Sequence, residues 1–202
     1  MRSTRSVAEM DEINRRTYRS AHSRHVYGKA EGWKDEAERL ALAHVRDLAG
    51  EGPILDIGFG GGRTVPLLRA MSENYVGIDY TPELVTLARQ RFPGVDLREM
   101  DARKLDFPDN SFRLAVFTYN GIDSAAPEHQ ESIIREVHRV LQPGGAFVFS
   151  SLNSDGPGDT APPLRISFAS PRAMIGSAIF MARVKMLGGI RRIRYRHLNV
   201  TR

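Results

Sequence analysis

Short apolar runs alternate with longer segments of helical periodicity between residues 53 and 151. Several of the apolar runs lack polar alternation, which is typical of strands covered on both faces. The intervening segments place apolar residues every three or four positions, as amphipathic helices do. This order predicts an α/β fold: a Rossmann-like, doubly wound, mostly parallel sheet with helices on both faces. The predicted strands are 53–57, 74–79, 95–100, 113–119 and 145–151.

Helix signals precede the first strand and separate the later ones. Residues 33–50 are amphipathic and end at a glycine, and residues 62–71 follow a glycine-rich turn. Residues 81–92 open with Thr81 as a predicted N-cap, followed by a proline. Residues 127–141 place isoleucine, valine and leucine on one stripe. We therefore expect a helix at each of these four positions.

The chain of 202 residues is long enough for one domain with a substantial core. Its pattern predicts a partly helical N-terminal lid or leader at 1–32 and a ligand-binding core at 33–152. Residues 153–202 begin as a turn-rich linker and continue as a basic lid or insertion, with a helix at 170–189 and one strand after it.

Charge is distributed unevenly along the chain. The net charge of +5 combines +4 over residues 1–30, −8 over 31–159 and +9 over 160–202. A basic end can bind nucleic acid or an anionic surface. A solvated face that pairs with the acidic middle explains the same charges, and we favour that interpretation.

Composition excludes several classes of protein. The chain has no cysteine, which removes disulfides, thiolate metal sites and thiol nucleophiles. No apolar run reaches about 18 residues, so no membrane span is expected. The N-terminus lacks the apolar core of a secretory signal, and a cytoplasmic location is predicted. No cluster has metal-ligand spacing, so no metal site is predicted.

The sequence ILDIGFGGGRT, residues 54–64, is the strongest local signal. Glycines at the end of a strand permit a tight turn and let a ligand approach the backbone. The next helix offers unpaired N–H groups to an anionic group. A dinucleotide fingerprint needs glycine at positions one, three and six, but the sixth position from Gly58 is Arg63. The nicotinamide-oxidoreductase hypothesis is therefore disfavoured.

The motif that is present, acid-x-Gly-x-Gly-x-Gly, resembles the first motif of the class I S-adenosylmethionine-dependent methyltransferases. Three further motifs follow in family order and spacing, and the resemblance covers about 30–151. It implies that S-adenosylmethionine is the cofactor and S-adenosylhomocysteine the product. An acid at the end of the second strand can accept hydrogen bonds from both ribose hydroxyls, and the next tyrosine can stack on adenine. The cofactor-binding residues predicted in this way are Asp56, Gly58, Phe59, Gly60, Gly62, Asp79, Tyr80, Asp101, Ala102, Tyr119 and Asn120.

The acceptor site is harder to predict than the cofactor site. Methyl transfer from a sulfonium is an in-line displacement, for which a protein mainly supplies alignment and exclusion of water. The segment after the fourth strand should face the methyl group, which makes Asn120 and Asp123 weak catalytic candidates. His25 and Tyr27 are two further weak catalytic candidates. They lie in a polar-aromatic cluster with His22 and Tyr18, and in the family that the chain resembles such a leader often covers the cofactor. His129 and His138 are predicted to be surface or packing residues.

The family's sheet usually ends in a sixth and a seventh strand, and this pattern provides at most one of the two. We therefore expect a short sheet, completed by a longer chain or a partner. The predicted function is methyl transfer to an oxygen or nitrogen of a small-molecule acceptor. Alternatives are an RNA or protein methyltransferase that uses the basic ends and a non-catalytic cofactor-binding regulatory domain. The sequence does not decide the oligomeric state, and a homodimer is one possibility.

Overall fold

The computed structural model describes residues 7–29 and 36–151, which belong to one compact unit, Met1–Ser151. Its sheet has five strands in the order β3-β2-β1-β4-β5, and every neighbouring pair is parallel. The predicted fold class is confirmed. The predictions for 153–202, including the basic end, lie outside the described residues. The strands are β1 (Ile54–Ile57), β2 (Tyr75–Asp79), β3 (Asp96–Glu99), β4 (Phe112–Phe117) and β5 (Leu141–Phe149).

Helices lie where the periodicity placed them, and the leader also contains two helices. The four predicted helices correspond to α3, α4, α5 and α6, each slightly shorter than predicted. The largest shortening is in α4, because the glycine-rich loop occupies the residues before it. The helices are α1 (Val7–Arg19), α2 (Ala21–Lys29), α3 (Glu36–Ala49), α4 (Val65–Arg69), α5 (Pro82–Arg91) and α6 (Pro127–Val140), and a 3-10 helix covers Gly121–Ser124.

Two local details differ from the sequence prediction. β5 begins at Leu141 rather than 145, and its register with β4 shifts before Ala146. Thr81 stands at the N-cap position of α5 but makes no side-chain capping hydrogen bond. The carboxylate of Asp79 accepts the Thr81 N–H instead, at 2.8 Å. The residue expected to bind a ligand therefore also supports the start of α5.

The core has two apolar layers, one on each face of the sheet. β1 lies at the centre, and all four of its residues are buried. Ile54 packs into one layer and Leu55 into the other, as strand alternation requires. The chain runs from β1 outward through β2 to β3, then returns to place β4 on the other side of β1. This reversal of strand order creates a crevice at the carboxyl edge between β1 and β4.

Candidate functional site

A cavity opens at the carboxyl edge of the sheet, beside this reversal. The loops that follow β1 to β4 form its floor, and residues of α1, α2 and α6 complete its walls. Polar and aromatic side chains from all these elements therefore meet around one space. They are Asp11, Asn14, Arg15, Tyr18, Tyr27, Asp79, Tyr80, Thr81, Asp101, Arg103, Thr118, Tyr119, Ser124 and His129.

The glycine loop after β1 has two distinct uses for its missing side chains. Gly58, Gly60 and Gly62 have φ values of +65°, +59° and +89°, which other residues rarely adopt. The first two line the cavity. Gly61 is different, because a Cβ there would lie 2.2 Å from the carbonyl oxygen of Tyr27. The loop thus faces the cavity with some glycines and contacts the backbone of α2 with another.

Asp79 ends β2 inside the cavity and is only 6% exposed. Its Oδ2 accepts the Gly60 N–H at 2.9 Å, and its Oδ1 accepts the Thr81 N–H at 2.8 Å. Burial raises the pKa of Asp79, while these backbone hydrogen bonds act in the opposite direction. A carboxylate oxygen can accept two hydrogen bonds, so each oxygen retains capacity for one ligand hydroxyl.

Asp56, in β1, supports the loop from behind the cavity wall. Its Oδ2 accepts the Thr64 hydroxyl at 2.6 Å and the Tyr75 hydroxyl at 2.8 Å. Its Oδ1 has no hydrogen-bond partner among the described residues. Complete burial raises the pKa of Asp56 to about 6. This residue does not line the cavity, and the structure places it as an anchor between the loop and β2.

A charged cluster occupies the end of the cavity that follows β3. Arg103 hydrogen-bonds both carboxylate oxygens of Asp101 and also reaches Asp11 of α1. His129 of α6 lies 2.9 Å from the same guanidinium. Burial opposes ionisation of Asp101, but hydrogen bonds from Arg103 outweigh it and lower the pKa of Asp101. Arg103 therefore favours the ionised form of Asp101 at this end of the cavity.

Tyr18, Tyr27, Tyr80 and Tyr119 also line the cavity, and we call them the tyrosine wall. The rings of Tyr18 and Tyr27 lie 6.0 Å apart and are tilted, and Tyr18 meets Tyr80 edge-on at 6.2 Å. Burial raises the pKa of Tyr18, Tyr27 and Tyr80. Tyr119, from the loop after β4, adds a ring that is 49% exposed. The tyrosine wall therefore presents aromatic faces and hydroxyl groups to the cavity.

A buried ion pair lies behind the loop after β4. Nη1 of Arg63 is 2.9 Å from Oε2 of Glu38, and Nη2 donates to the Thr118 hydroxyl at 2.9 Å. The Tyr119 N–H donates to Oε1 of Glu38 at 2.9 Å. Tyr119 and Asn120 have φ values of +57° and +54°, an uncommon conformation for two successive non-glycine residues. The pair therefore fixes one end of a strained segment.

Comparison with known proteins identifies the family. A family model described as "Methyltransferase domain" matches residues 54–145. A phosphatidylethanolamine N-methyltransferase of Cereibacter sphaeroides is 34% identical over 146 residues, which cover 69% of this chain and 68% of that protein. This chain belongs to the class I S-adenosylmethionine-dependent methyltransferases. It is therefore a methyltransferase, and S-adenosylmethionine is its cofactor.

Other relatives agree on the family and differ in acceptor. A ubiquinone/menaquinone biosynthesis C-methyltransferase of Desulfotalea psychrophila is 31% identical over 68% of this chain, which spans 51% of that protein. The crystal structure of an S-adenosylmethionine-dependent methyltransferase from Mesorhizobium loti superposes with a TM-score of 0.51 at 29% identity, covering 59% of this chain and 55% of that one. The family therefore fixes the cofactor and leaves the acceptor open.

The residues present fit S-adenosylmethionine. Asp79 retains acceptor capacity for two ribose hydroxyls beside Tyr80. Gly58 and Gly60 present backbone to the cavity on one side of Asp79, and Asp101 lies at the opposite end. The order of these groups, with one carboxylate between a glycine loop and a second carboxylate, suits a nucleoside that carries an amino-acid arm. The specific assignments remain predictions.

Four residues predicted to bind the cofactor do not line the cavity: Asp56 and Asn120, whose hydrogen bonds are described separately, and Phe59 and Gly62. Phe59 is buried in one core layer. Gly62 faces Phe92, because a Cβ there would lie 2.4 Å from that ring. Both shape the loop from within the protein, which a motif alone does not distinguish from ligand contact.

The weak catalytic candidates are dispersed. Tyr27 lines the cavity. His25 is exposed on α2 and lies 3.4 Å from a lysine of the same helix. The Asn120 N–H donates to the Ser150 hydroxyl at 2.8 Å, and Asp123 accepts from the Ser151 hydroxyl at 2.7 Å. Neither Asn120 nor Asp123 lines this cavity.

Sequence analysis missed several cavity residues. Asp11, Asn14 and Arg15 line the cavity from α1, and Arg103 and His129 line it from the core. His129 was predicted as a surface or packing residue, yet it faces the cavity. The spacing of residues 11, 14, 15 and 18 places all four on one helix face, which is the signal that could have revealed them.

The described residues contain neither a cluster suited to a metal ion nor a helix suited to a membrane. No group of three or more histidine, aspartate or glutamate residues in 7–29 and 36–151 is placed to hold a metal ion. Within the same ranges, no helix combines the length and apolar character needed to cross a membrane.

Proposed function

We propose that this methyltransferase transfers a methyl group to a small-molecule acceptor, and that the acceptor atom is an amine nitrogen rather than a hydroxyl oxygen. The observation that carries the choice is the tyrosine wall, which offers aromatic faces without an available base among the residues that the structure describes. Quinone carbon is the second candidate, because a relative is named as a C-methyltransferase.

We assign the cofactor to the carboxyl edge of the sheet. Asp79 accepts the ribose hydroxyls, Gly58 and Gly60 pass beneath the methionine part, and Asp101 and Ala102 form the adenine end. These residues surround one cavity, which supports the assignment. When bound, S-adenosylmethionine supplies an electrophilic methyl group on a sulfonium. The chain's own contribution is then alignment and exclusion of water.

The tyrosine wall suits a neutral amine acceptor, whose lone pair attacks the methyl group and whose methylated product is an ammonium ion. Aromatic faces attract ammonium groups, by about 0.5–2 kcal/mol for each cation–π contact. Tyr18, Tyr27 and Tyr119 line the cavity beside the glycine loop and the loop after β4. The pKa values of Tyr18 and Tyr27 are raised by burial, so both hydroxyls stay protonated near neutral pH. They can accept a hydrogen bond from an amine and orient its lone pair.

The ionisable groups that could act as a base are engaged elsewhere. A hydroxyl acceptor needs early removal of its proton, whereas a neutral amine already carries a nucleophilic lone pair. Among the described cavity residues, Asp11, Asp101 and His129 cluster around Arg103. Asp79 is held by two backbone N–H groups. This distribution favours nitrogen, as does the relative named for an amine headgroup.

Calorimetry tests the cofactor assignment. We expect Asp79→Ala to weaken S-adenosylhomocysteine binding by about 1.5–3 kcal/mol, because hydrogen bonds to a charged group are lost. Asp96→Ala is the matched control, since Asp96 is exposed on β3 and should leave the dissociation constant unchanged. An unchanged constant for Asp79→Ala would refute the ribose assignment.

A panel of acceptors tests the chemistry. Radiolabelled S-adenosylmethionine is offered with ethanolamine, with phosphatidylethanolamine vesicles, with matched alcohols and with a quinol. Transfer to either amine and not to its alcohol supports the proposal, and the two amine arms separate a free amine from a lipid headgroup. Transfer to the quinol alone would establish the second candidate, and transfer to alcohols would overturn the choice of nitrogen.

A further inference from the structure

Arg103 connects three parts of the cavity wall. Its Nε donates to both Oδ1 and Oδ2 of Asp101, at 3.0 and 2.9 Å, and its Nη2 donates to Oδ2 at 2.5 Å. Its Nη1 donates to Oδ2 of Asp11, on α1, at 2.6 Å. The same Nη1 lies 2.9 Å from Nδ1 of His129, on α6, which can accept from it. One guanidinium thus joins the loop after β3 to two helices.

The planar guanidinium of Arg103 fixes which of its nitrogens faces each carboxylate. Arginine presents a planar array of donors, and here two of its nitrogens face Asp101 while the third faces Asp11. The Arg103, Asp11 and Asp101 side chains are 27%, 29% and 38% exposed, so water only partly screens the contacts. A lysine could satisfy one carboxylate but could not span both in this geometry.

We propose that Arg103 is a positioning residue that links the adenine end of the cofactor site to the closure of α1. The proposal rests on the cofactor placement given under Proposed function. Arg103 holds Asp101 toward the adenine and, through Asp11, holds α1 over the cavity. The bound cofactor then leaves only after the Asp11–Arg103 contact has opened.

Other contacts hold α1 without touching Asp101. Asn14 donates to the Ser124 carbonyl, and Arg19 lies 3.6 Å from Glu83. These contacts keep α1 near the core when the Asp11 contact is lost. We therefore expect that breaking the Asp11 contact changes the rate at which the cofactor leaves more than it changes the fold.

Dissociation kinetics of radiolabelled S-adenosylhomocysteine from the full chain test the proposal. We expect Asp11→Asn to raise the dissociation rate about fivefold to tenfold, because a charge-assisted hydrogen bond is lost. Asp11→Glu should restore most of the slow release. Glu12→Gln is the matched control, since it removes the same charge from an exposed position of α1 and should leave the rate unchanged.

Two further readouts separate positioning from a general structural effect. Added salt should speed release from the wild type and have much less effect on Asp11→Asn, because the screened contact is already gone. In an Arg103→Lys background, Asp11→Asn should have little additional effect, since both changes break one linkage.

The outcomes distinguish this proposal from the cofactor assignment. Unchanged release from Asp11→Asn, or fully additive effects of the two substitutions, would refute the role of Arg103 while leaving the cofactor site intact. Failure of the wild-type chain to bind S-adenosylhomocysteine would refute the cofactor site itself. Equal acceleration by Glu12→Gln would show that net charge on α1, rather than the contact with Arg103, controls release.

Discussion

Asp56 carries an electrostatic cost at the centre of the sheet. Its carboxylate is fully buried, and one oxygen has no partner among the described residues. Its two hydrogen bonds, from Thr64 and Tyr75, connect the start of α4 with β2. The residue thus fixes the glycine loop at the expense of stability, as functional sites commonly do.

The buried carboxyl of Asp56 should make the free energy of unfolding depend on pH. Because burial raises its folded pKa to about 6 from an ordinary 3.8, the folded state binds this proton more tightly, and Asp56 lowers stability as pH rises through that window. Asp56→Asn removes the titration. Denaturant unfolding should show the variant gaining roughly 2–3 kcal/mol relative to wild type between pH 4 and pH 7. A difference that stays constant with pH would contradict this account.

Substitution of Glu38 tests how much the buried ion pair with Arg63 contributes to stability. Its side chain is 5% exposed and that of Arg63 is 8% exposed. Glu38→Gln removes the carboxylate that neutralises Arg63, and we expect a loss of about 2–4 kcal/mol in the free energy of unfolding. Glu36→Gln, two positions earlier and exposed, should leave it unchanged. Equal effects in chemical denaturation would show that the pair contributes nothing specific.

At the scale of elements, α2 and the glycine loop form one packed unit. The Tyr27 backbone occupies the space where Gly61 lacks a side chain, and Gly28 packs against Leu87 of α5. Nη1 of Arg91 donates to the Gly61 carbonyl at 2.5 Å. The position of α2 over the cavity therefore depends on a glycine that belongs to the same run as the cofactor motif.

Gly61→Ala tests this dependence. Its Cβ would meet backbone atoms of Tyr27, which cannot rotate away, so α2 must move. We expect S-adenosylhomocysteine to bind about tenfold more weakly, and trypsin to cut α2 faster, because burial of α2 is lost. Gly94→Ala is the control: nothing lies within 4 Å of its Cβ, and its φ of +81° affects stability alone. Wild-type affinity in Gly61→Ala would contradict the packing.

The sequence patterns predicted which strands and helices exist better than they predicted where these elements begin and which residues they contact. All five strands of the sheet were expected, because parallel strands read as apolar runs and glycine or proline residues separate them. The start of β5 was placed four residues late, since Pro143 and Gly144 resemble a turn although Leu141 already pairs with β4.

Site residues were predictable where a motif carries them, and Tyr18 and Tyr27 were also singled out by the polar-aromatic cluster of the leader. Asp79 and Asp101 follow strands at family spacing. Asp11 meets Arg103 across 92 positions, and local periodicity says nothing about such a pair. Asn120 and Asp123 were chosen for their position after β4, but the left-handed turn of the chain gives them partners in Ser150 and Ser151 instead.

At the scale of the whole molecule, cofactor binding and folding are coupled. The cavity joins residues from α1 at one end of the chain to α6 near the other end of the described core. A ligand held by all these elements binds the folded state alone. It must therefore stabilise the fold by mass action.

Thermal unfolding measures this coupling. S-adenosylhomocysteine at about one hundred times its dissociation constant should stabilise the chain by about 2.7 kcal/mol. NAD at the same concentration should have no effect, because Arg63 stands where a dinucleotide fingerprint has its third glycine and is fixed in the ion pair with Glu38. Stabilisation by NAD alone would reverse the choice of cofactor.

The boundary of the family match has a consequence for recombination between methyltransferases. The matched stretch covers residues 54–145 and includes α6, whereas α1 and α2, which also line the cavity, lie wholly before it. A chimera joined at residue 54 would take the cofactor-binding loops of the sheet from one parent. It would take α1 and α2, which cover the cavity, from the other parent. If Tyr18 and Tyr27 select the acceptor, such a graft exchanges the substrate without altering the catalytic sheet.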